Sequence, residues 1–246
     1  MKVMTFNVQH LLGHMDREKW VPKDIAAQII EPELYINSLK EIGADVVGLQ
    51  EMRNQSETSD KTQYFDQTKV LADGAGYKYY YFAEAIKFGG INPYGNAIIS
   101  KIPIVKAETI IIPDPVVQKY NGYYETRCVL KAQLINGYTI LVSHIGLNPD
   151  EHENAVKTIL ENLPKEKGVL MGDFNMQSND ELLKPFFEKL NDTTNLIVGN
   201  KNTFPSDSPN IKIDYIFTTK DVVVEEAKIP NIVVSDHLPY IAKIKE

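Results

Sequence analysis

The sequence predicts an α+β fold, an α/β sandwich of two packed, mostly antiparallel β-sheets flanked by helices. About eleven short segments rich in Val, Ile, Tyr and Phe have the character of strands, against about four amphipathic helices. That ratio has too many strands for a doubly wound α/β fold. The chain of 246 residues shows no Ser/Gly-rich linker and no abrupt change of composition. We therefore expect one domain over residues 1–246.

The predicted elements alternate irregularly along the chain. The strands span residues 2–8, 45–50, 77–82, 95–100, 104–112, 127–135, 138–144, 168–172, 213–218, 222–227 and 238–244. The helices span residues 32–42, 66–75, 151–163 and 179–190. In the third helix Ala155, Val156 and Ile159 share one apolar stripe, and Asp150 is the expected N-cap. Pro32 either opens its helix or kinks a longer one that begins near Asp24.

Composition indicates an ordinary globular protein of a reducing compartment. The sequence is 43% hydrophobic and 24% charged, and its one cysteine excludes an internal disulfide. Without a cluster of metal-binding cysteines either, a cytoplasmic location is the default unless a segment outside this sequence directs secretion. No apolar run approaches the roughly 18 residues of a membrane-spanning helix. We expect no transmembrane segment and no obligate protein partner.

The charge balance is acidic and favours neither a nucleic-acid-binding surface nor a nucleotide-driven enzyme. The formal net charge is -7 and the pI is about 5.3. Lysines and arginines are scattered, whereas proteins that bind nucleic acids cluster them on one surface. A metal site rich in carboxylates would itself contribute negative charge. No glycine-rich P-loop is present, which disfavours nucleotide-driven phosphoryl transfer.

Polar side chains recur at the ends of apolar strands. In the stretch VLMGDFNMQSND, residues 169–180, Asp173 and Asn175 are two positions apart and so are expected on one face. By the same rule Val47, Leu49 and Glu51 are expected to share a face. The full set of such residues is Asn7, Glu51, His144, Asp173, Asn175, Asp214, Asp236 and His237. Each alone could be a surface group or a turn former, but a single active site at one edge of the sandwich accounts for all of them.

The residue types in this set agree on one chemistry. Carboxylates and amides are hard oxygen ligands that suit Mg²⁺ or Mn²⁺. Two histidines beside several carboxylates suit proton transfer near neutral pH. A metal, a positioned water and an imidazole–carboxylate pair together indicate hydrolysis of a phosphate ester.

An ordered set of short motifs resembles the endonuclease/exonuclease/phosphatase family, which has the deoxyribonuclease-I-like fold. The motifs are TFNV near the start, GLQE ending at Glu51, GNAIISK at 95–101, ETR at 125–127, SH at 143–144, GDFN at 172–175, IDYIF at 213–217 and SDH at 235–237. Each motif alone is weak, but the set spans nearly the whole chain in the family's order. The resemblance implies a four-layer sandwich and a compact, bacterial-type metal-dependent hydrolase.

The resemblance also implies a metal centre and a place for the attacking water. Glu51 corresponds to the principal metal ligand, with Asn7 beside it and Asp236 contributing to the same region. Asp173 and Asn175 would position the water and the scissile phosphate. The implied cofactor is Mg²⁺ or Mn²⁺.

The remaining roles implied by the resemblance concern proton transfer and substrate contact. His237, held in its tautomer by Asp214, would be the general base or would polarise the phosphate, since family members have been interpreted with either this histidine or the aspartate of GDFN as the base. His144 would bind a phosphate oxygen or assist the leaving group. The expected substrate-binding residues are Arg127, Asn96 and Tyr94.

The substrate stays open at this stage. A histidine at the position of His144 resembles the deoxyribonuclease-I-like, sphingomyelinase-like and inositol-phosphatase-like branches. A phosphorylated small molecule, a phospholipid head group and a nucleic acid are all possible substrates, so a DNA or RNA nuclease is the alternative function. A non-catalytic binding module is a weaker alternative, because such a module would be expected to lose some of these residues.

Three loops and three further histidines complete the expectations. Substrate choice is expected in loops at 52–65, 88–95 and 113–126, where the tyrosines of the third either stack on a ligand or pack the loop. His10 and His14 have helical spacing with Gly13 between them, and we assign both to a loop without function. His152 is expected to be exposed at the start of its helix.

Overall fold

The computed structural model describes residues 1–13, 30–54 and 65–245. The possible helical start near Asp24, His14, and residues 55–64 of the loop at 52–65 lie outside the described residues. The strands are β1 Lys2–Asn7, β2 Val46–Arg53, β3 Tyr79–Phe88, β4 Asn92–Ser100, β5 Ile104–Ile111, β6 Cys128–Leu134, β7 Thr139–His144, β8 Gly168–Asp173, β9 Leu190–Asp192, β10 Asp214–Thr219, β11 Val224–Lys228 and β12 Tyr240–Ile244. The α-helices in the same ranges are α1 Pro32–Ile42, α2 Gln67–Ala75, α3 Pro149–Asn162 and α4 Lys184–Lys189.

Two six-stranded sheets form the body of the protein. Sheet I has the strand order β11-β12-β1-β2-β4-β3 and sheet II the order β5-β6-β7-β8-β10-β9. Each sheet has one parallel pair at its centre, β1 with β2 and β7 with β8, while the other pairs are antiparallel. The predicted fold class, two mostly antiparallel sheets flanked by helices, is confirmed.

Three hydrophobic clusters produce four layers. The inner cluster lies between the sheets and takes Val3 and Ile98 from sheet I and Val142 and Met171 from sheet II. A second cluster packs α1 and α2 on the outer face of sheet I, and a third packs α3 and α4 on the outer face of sheet II. Because side chains alternate between the two faces of a strand, successive residues of one strand belong alternately to the inner cluster and to an outer cluster.

The sequence pattern located the elements better than it located their ends. The strand predicted at 77–82 continues to Phe88, because pairing with β4 along its whole length outweighs the weak strand preference of the segment AEAIKF. The helix predicted at 179–190 is shorter, and its last predicted residue, Leu190, begins β9. Within the described ranges, no helix combines the length and the hydropathy needed to cross a bilayer.

The start of α3 differs from the prediction. Its N-cap is Asn148, whose side chain and that of Glu151 form a capping box. The predicted cap, Asp150, instead accepts hydrogen bonds from the Lys119 amide at 3.1 Å and the Tyr124 hydroxyl at 3.0 Å. His152, expected to be exposed, is buried with Nε2 2.9 Å from a backbone carbonyl oxygen. The polar character of this first turn serves the neighbouring loop rather than solvent.

Gly172 allows the parallel strands β7 and β8 to approach one another beside the polar strand ends. Its φ is +152°, and an added Cβ would lie 1.8 Å from the carbonyl oxygen of Ser143, its partner in the register. That contact involves backbone, which a side-chain rotation cannot relieve. Glycine is therefore required at this position.

We predict that Gly172→Ala lowers the free energy of unfolding by roughly 3 kcal/mol, because β7 and β8 must separate locally. Urea denaturation of the purified variant measures this. Gly76→Ala is the matched control, since Gly76 also has a positive φ of +81° but nothing within 4 Å of an added Cβ. The control should cost about 1 kcal/mol. Equal losses in both variants would show that strain in φ, and not the backbone contact, dominates.

Candidate active site

The inner faces of four central strands end in polar side chains at one edge of the sandwich. Val3 faces the inner cluster, and two and four positions later the same face of β1 presents Thr5 and Asn7. In β7 the inner face ends at His144, in β8 at Asp173, and β10 begins on it with Asp214. The register pairs Asp173 with both His144 and Asp214. Alternation and register together place these side chains within hydrogen-bonding range.

Glu51 reaches the same edge by a different route from the one predicted. Val47 and Leu49 face the outer cluster, so strict alternation would turn Glu51 toward the helices. Instead the register of β2 shifts between Leu49 and Met52, and Glu51 adopts a left-handed φ of +59°. A β-bulge of this kind re-aims a side chain. The expectation that Glu51 shares a face with Val47 and Leu49 is therefore wrong, although Glu51 still lies at the site.

Asp173 is the centre of the site. Its carboxylate accepts hydrogen bonds from the Asn7 amide at 3.0 Å and the Asn175 backbone N–H at 3.0 Å. The Nε2 atoms of His144 and His237 lie 3.6 and 3.5 Å from its Oδ2. The side chain is almost fully buried, and burial raises the pKa of Asp173 to about 7 although the charge of His237 opposes the shift.

His237 is held between two carboxylates. Its Nδ1 donates to Asp214 Oδ2 at 2.8 Å, and the same oxygen accepts from the hydroxyl of Thr203. The Phe204 ring packs against the imidazole with centroids 4.9 Å apart. Burial lowers the pKa of His237, but the charges of Asp214 and Asp173 outweigh it and raise the pKa to about 10. This geometry stabilises the imidazolium form.

His144 is held in the opposite protonation state. Arg127 Nη1 lies 3.0 Å from His144 Nδ1, and because a guanidinium can only donate, Nδ1 carries no proton. Burial and the charge of Arg127 lower the pKa of His144 well below its usual value. Nε2 lies 3.2 Å from the Asn175 amide nitrogen and 3.6 Å from Asp173 Oδ2. Because the charged guanidinium is the stronger of the two donors that face the ring, we assign the proton of the neutral ring to Nε2. Arg127 is fixed in turn by an ion pair with Glu125 at 2.7 Å.

The donor set fits a hard divalent cation beside Glu51. Glu51 and the partly buried Asp236 lie close to one another. Burial is the main cause that raises the pKa of Asp236, and the negative charge of Glu51 adds to the increase. Burial opposes ionisation of Glu51 as well, but His10 and the Asn7 amide lower its pKa overall. Asp214 Oδ1 is buried without a hydrogen-bond partner among the described residues. This concentration of oxygen donors and negative charge is what Mg²⁺ or Mn²⁺ binds.

The tightest group of potential ligands is not the predicted metal set. Among the described residues, ligand atoms of Asp173, Asp214 and His237 lie within 4.8 Å of one another. His237 already contacts both carboxylates through its two ring nitrogens. The hydrogen bond from His237 to Asp214 and the ion-pair contact of His237 with Asp173 explain the compactness of this trio without a metal.

The three residues expected to bind substrate are all buried around the site. Tyr94 accepts a hydrogen bond from Arg127 at 2.9 Å, and Asn96 donates to the carbonyl oxygen of Cys128 at 2.9 Å. Those contacts use the Tyr94 hydroxyl and the Asn96 amide nitrogen to join β4 to sheet II. Substrate contact by these residues stays a prediction.

The tyrosines of the loop at 113–126 divide into two kinds. Tyr124 packs the loop through its bond to Asp150, whereas Tyr120 and Tyr123 are exposed. Burial and the charge of Glu125 raise the pKa of the Tyr123 hydroxyl, and the charges of Arg127 and Arg53 partly oppose that shift. Tyr123 is therefore an aromatic surface near the charged groups that surround the site.

Four residues around the site are absent from the sequence-based set. His10 contacts Glu51, Glu125 holds Arg127, Thr203 donates to Asp214, and the Arg53 guanidinium lies over the Tyr94 ring at 4.6 Å. The motif ETR contained Glu125, so its charge beside Arg127 was a usable signal. The sequence does not single out His10, because Gly13 interrupts its helical spacing to His14 and no third ligand is obvious. Nothing in the local sequence signals Thr203.

The two packed sheets, with acidic and histidine side chains gathered at their strand ends, form a deoxyribonuclease-I-like sandwich. The model of the Endonuclease/Exonuclease/phosphatase family matches residues 4–237. This chain belongs to that family, which includes hydrolases that act on phosphate esters. Among curated proteins, none matches the chain in sequence.

Solved structures share the fold at low sequence identity. An endonuclease/exonuclease/phosphatase from Beutenbergia cavernae is 19% identical with a TM-score of 0.78, over 100% of this chain and 71% of that one. A family protein from Leptotrichia buccalis is 21% identical with a TM-score of 0.72, over 100% of both chains. The Bacteroides thetaiotaomicron mannosyl-6-phosphatase Bt3783 is 14% identical with a TM-score of 0.70, over 100% of both chains. These similarities show the fold.

Lys212 is a buried cation two residues before Asp214. Its Nζ lies 3.0 Å from the centroid of the Tyr215 ring and has no hydrogen-bond partner among the described residues. Burial lowers its pKa from 10.5 to about 7, while Asp192 and Asp214 partly oppose the shift. The folded protein therefore binds this proton more weakly than the unfolded chain does.

We predict that Lys212→Met stabilises the protein below pH 7 by on the order of 4 kcal/mol. Between about pH 7 and pH 10.5 the unfolded chain binds more protons at Lys212, so the parent's stability rises with pH and the variant's advantage shrinks. Urea denaturation of both proteins across this range measures the difference. The exposed Lys157→Met serves as control and should show no such trend. A difference independent of pH would contradict the argument.

Proposed function

We propose that the protein is a divalent-metal-dependent phosphoesterase that hydrolyses a phosphomonoester or phosphodiester by in-line attack of water. The observation that carries the proposal is the buried Asp173 carboxylate, which faces His144 and His237 and is oriented by Asn7 and Asn175. Family membership supports the same reaction class. Water and phosphate would lie in the space that these side chains surround.

Glu51 and Asp236 are the residues we assign to holding Mg²⁺ or Mn²⁺. When bound, such a cation supplies a positive charge that stabilises negative charge developing on the phosphate oxygens. Asn7 was predicted as a third ligand. Its amide nitrogen donates to Glu51 and Asp173, and its oxygen accepts from the Gln9 N–H at 3.1 Å. We therefore assign Asn7 to orienting the two carboxylates.

The contacts of Asp173 and of the two histidines suit each of these three side chains to a different role in the reaction. His237, with a carboxylate at each ring nitrogen, is suited to act as a cation that polarises the phosphate. We therefore assign to Asp173 the role of accepting a proton from water. The sequence alone leaves this role open between Asp173 and His237. His144 presents an N–H at Nε2, which suits a hydrogen bond to a phosphate oxygen. Arg127 acts through His144 by fixing that tautomer.

The experiment that tests the function is hydrolysis of a substrate panel with Mg²⁺, Mn²⁺ or EDTA. The panel contains p-nitrophenyl phosphate, bis-p-nitrophenyl phosphate, inositol phosphates, sphingomyelin, plasmid DNA and RNA. Mannose 6-phosphate is added because one protein of similar fold is described as a mannosyl-6-phosphatase. Turnover that EDTA abolishes supports the proposal, and the best substrate distinguishes a small-molecule phosphatase from a nuclease. Turnover unaffected by EDTA would overturn metal dependence.

We predict that Asp173→Asn lowers kcat by at least about a thousandfold on whichever panel substrate is turned over. The isosteric amide keeps the shape of the side chain but removes the proton acceptor. Initial rates with saturating Mg²⁺ or Mn²⁺, together with circular dichroism, measure the loss in a folded protein. Glu161→Gln, an exposed acidic residue of α3, is the control and should keep the parental rate. A folded Asp173→Asn protein with parental kcat would rule out the assignment of Asp173.

A further inference from the structure

We propose that His10 is an additional ligand of the cation held at Glu51, bonded through Nε2, and that it raises the affinity of the site for transition-metal ions relative to Mg²⁺. The inference rests on the proposed metal-dependent function and extends it to a residue outside the predicted set. A nitrogen donor suits Mn²⁺ and later transition metals better than it suits Mg²⁺, which prefers oxygen and water.

The backbone fixes which nitrogen of His10 carries the proton. Nδ1 lies 2.9 Å from the carbonyl oxygen of Glu51. A carbonyl oxygen can only accept, so Nδ1 is the donor and the neutral ring has its lone pair on Nε2. Metal-binding histidines commonly donate their other N–H to a backbone carbonyl in this way. Here the carbonyl belongs to Glu51, the residue assigned to the metal.

The lone pair of Nε2 is directed toward the carboxylate of the same residue. Nε2 lies 3.5 Å from Glu51 Oε2, while Oε1 accepts from the Asn7 amide at 3.0 Å. Two electron-rich atoms at this separation repel unless a proton or a metal ion lies between them. With bonds of about 2.1 Å, two ligands of one cation are about 3.0 Å apart at 90° and about 3.4 Å apart at a tetrahedral angle. The observed separation of 3.5 Å is close to the tetrahedral value, so a small approach of the two side chains would let both bind one ion.

The local backbone holds His10 and Glu51 in conformations that the chain would not choose by itself. His10 has a φ of +57° within a turn whose neighbours Gln9 and Leu11 also have positive φ, and Glu51 has a φ of +59°. Such conformations are unfavourable for residues other than glycine and collect at functional sites. Both residues that share the proposed ion therefore have strained backbone.

Buried contacts support this arrangement from both sides. The Gln67 side chain donates to the His10 carbonyl oxygen at 2.7 Å and accepts from the Arg53 N–H at 2.8 Å. It therefore ties the turn that carries His10 to the end of β2 that carries Glu51. The Tyr94 ring packs edge-on against the imidazole, with centroids 5.5 Å apart. The relative position of the two residues is set before any ligand binds.

The test is pulsed electron paramagnetic resonance of the metal-free protein loaded with one equivalent of Mn²⁺. A directly bonded imidazole produces electron spin-echo modulation from ¹⁴N. We expect this modulation in the parent protein and in His237→Asn, and its loss in His10→Asn. Competition binding should show that His10→Asn lowers Mn²⁺ affinity about tenfold or more, with a smaller loss of Mg²⁺ affinity. Circular dichroism confirms that each variant is folded.

Three other outcomes overturn the inference. Modulation that persists in His10→Asn, or that disappears in His237→Asn alone, would assign the nitrogen to a different histidine. Absence of modulation in the parent would indicate that His10 pairs with Glu51 as an imidazolium. Failure of the parent to bind Mn²⁺ would remove the metal site itself. The two proposals can also fail separately. If the protein hydrolyses no substrate of the panel but His10→Asn still loses the ¹⁴N signal, the proposed function fails and this inference stands.

Discussion

The hydrogen bond from the Asn7 amide to the Asp173 carboxylate joins the end of β1 in sheet I to the end of β8 in sheet II. The other side chains of the site are arranged around this bond. A buried carboxylate is costly unless hydrogen bonds and opposite charges compensate for lost water. Asp173 receives both, from Asn7 and Asn175 and from His237. Each of these partners is fixed by a strand end or a turn. The position of the carboxylate therefore depends on how the sheets stack.

The two histidines that face Asp173 differ because their outer neighbours differ. His237 has the Asp214 carboxylate on its far side, whereas His144 has the Arg127 guanidinium. A carboxylate stabilises the imidazolium and a guanidinium destabilises it. Similar rings on opposite sides of one carboxylate thus hold different protonation states. This asymmetry provides one charged group and one neutral donor within the same small space.

The sequence predicted those parts of the site that follow from regular strand geometry. His144, Asp173 and Asp214 lie on inner faces because alternation along β7, β8 and β10 places them there. Alternation fails at Glu51, where a β-bulge inserts one residue. Nothing in the local sequence GLQEMR predicts this bulge. His10 was missed for a related reason, since a left-handed turn brings it to Glu51. Irregular backbone depends on tertiary contacts such as those of Gln67, which a single sequence does not reveal.

The pairing of β1 with β12 has a consequence for how the protein is made. The Met1 amino group donates to the Ile244 carbonyl oxygen across 243 positions of sequence, and β12 fills the place in sheet I between β11 and β1. During synthesis Asn7, Glu51 and Asp173 all leave the ribosome before the segment with Asp236 and His237. Until β12 arrives, one edge of β1 is unpaired and the carboxylates lack their imidazolium. The site can therefore be completed only after the segment with Asp236 and His237 has been synthesised, which makes its assembly a late event of folding.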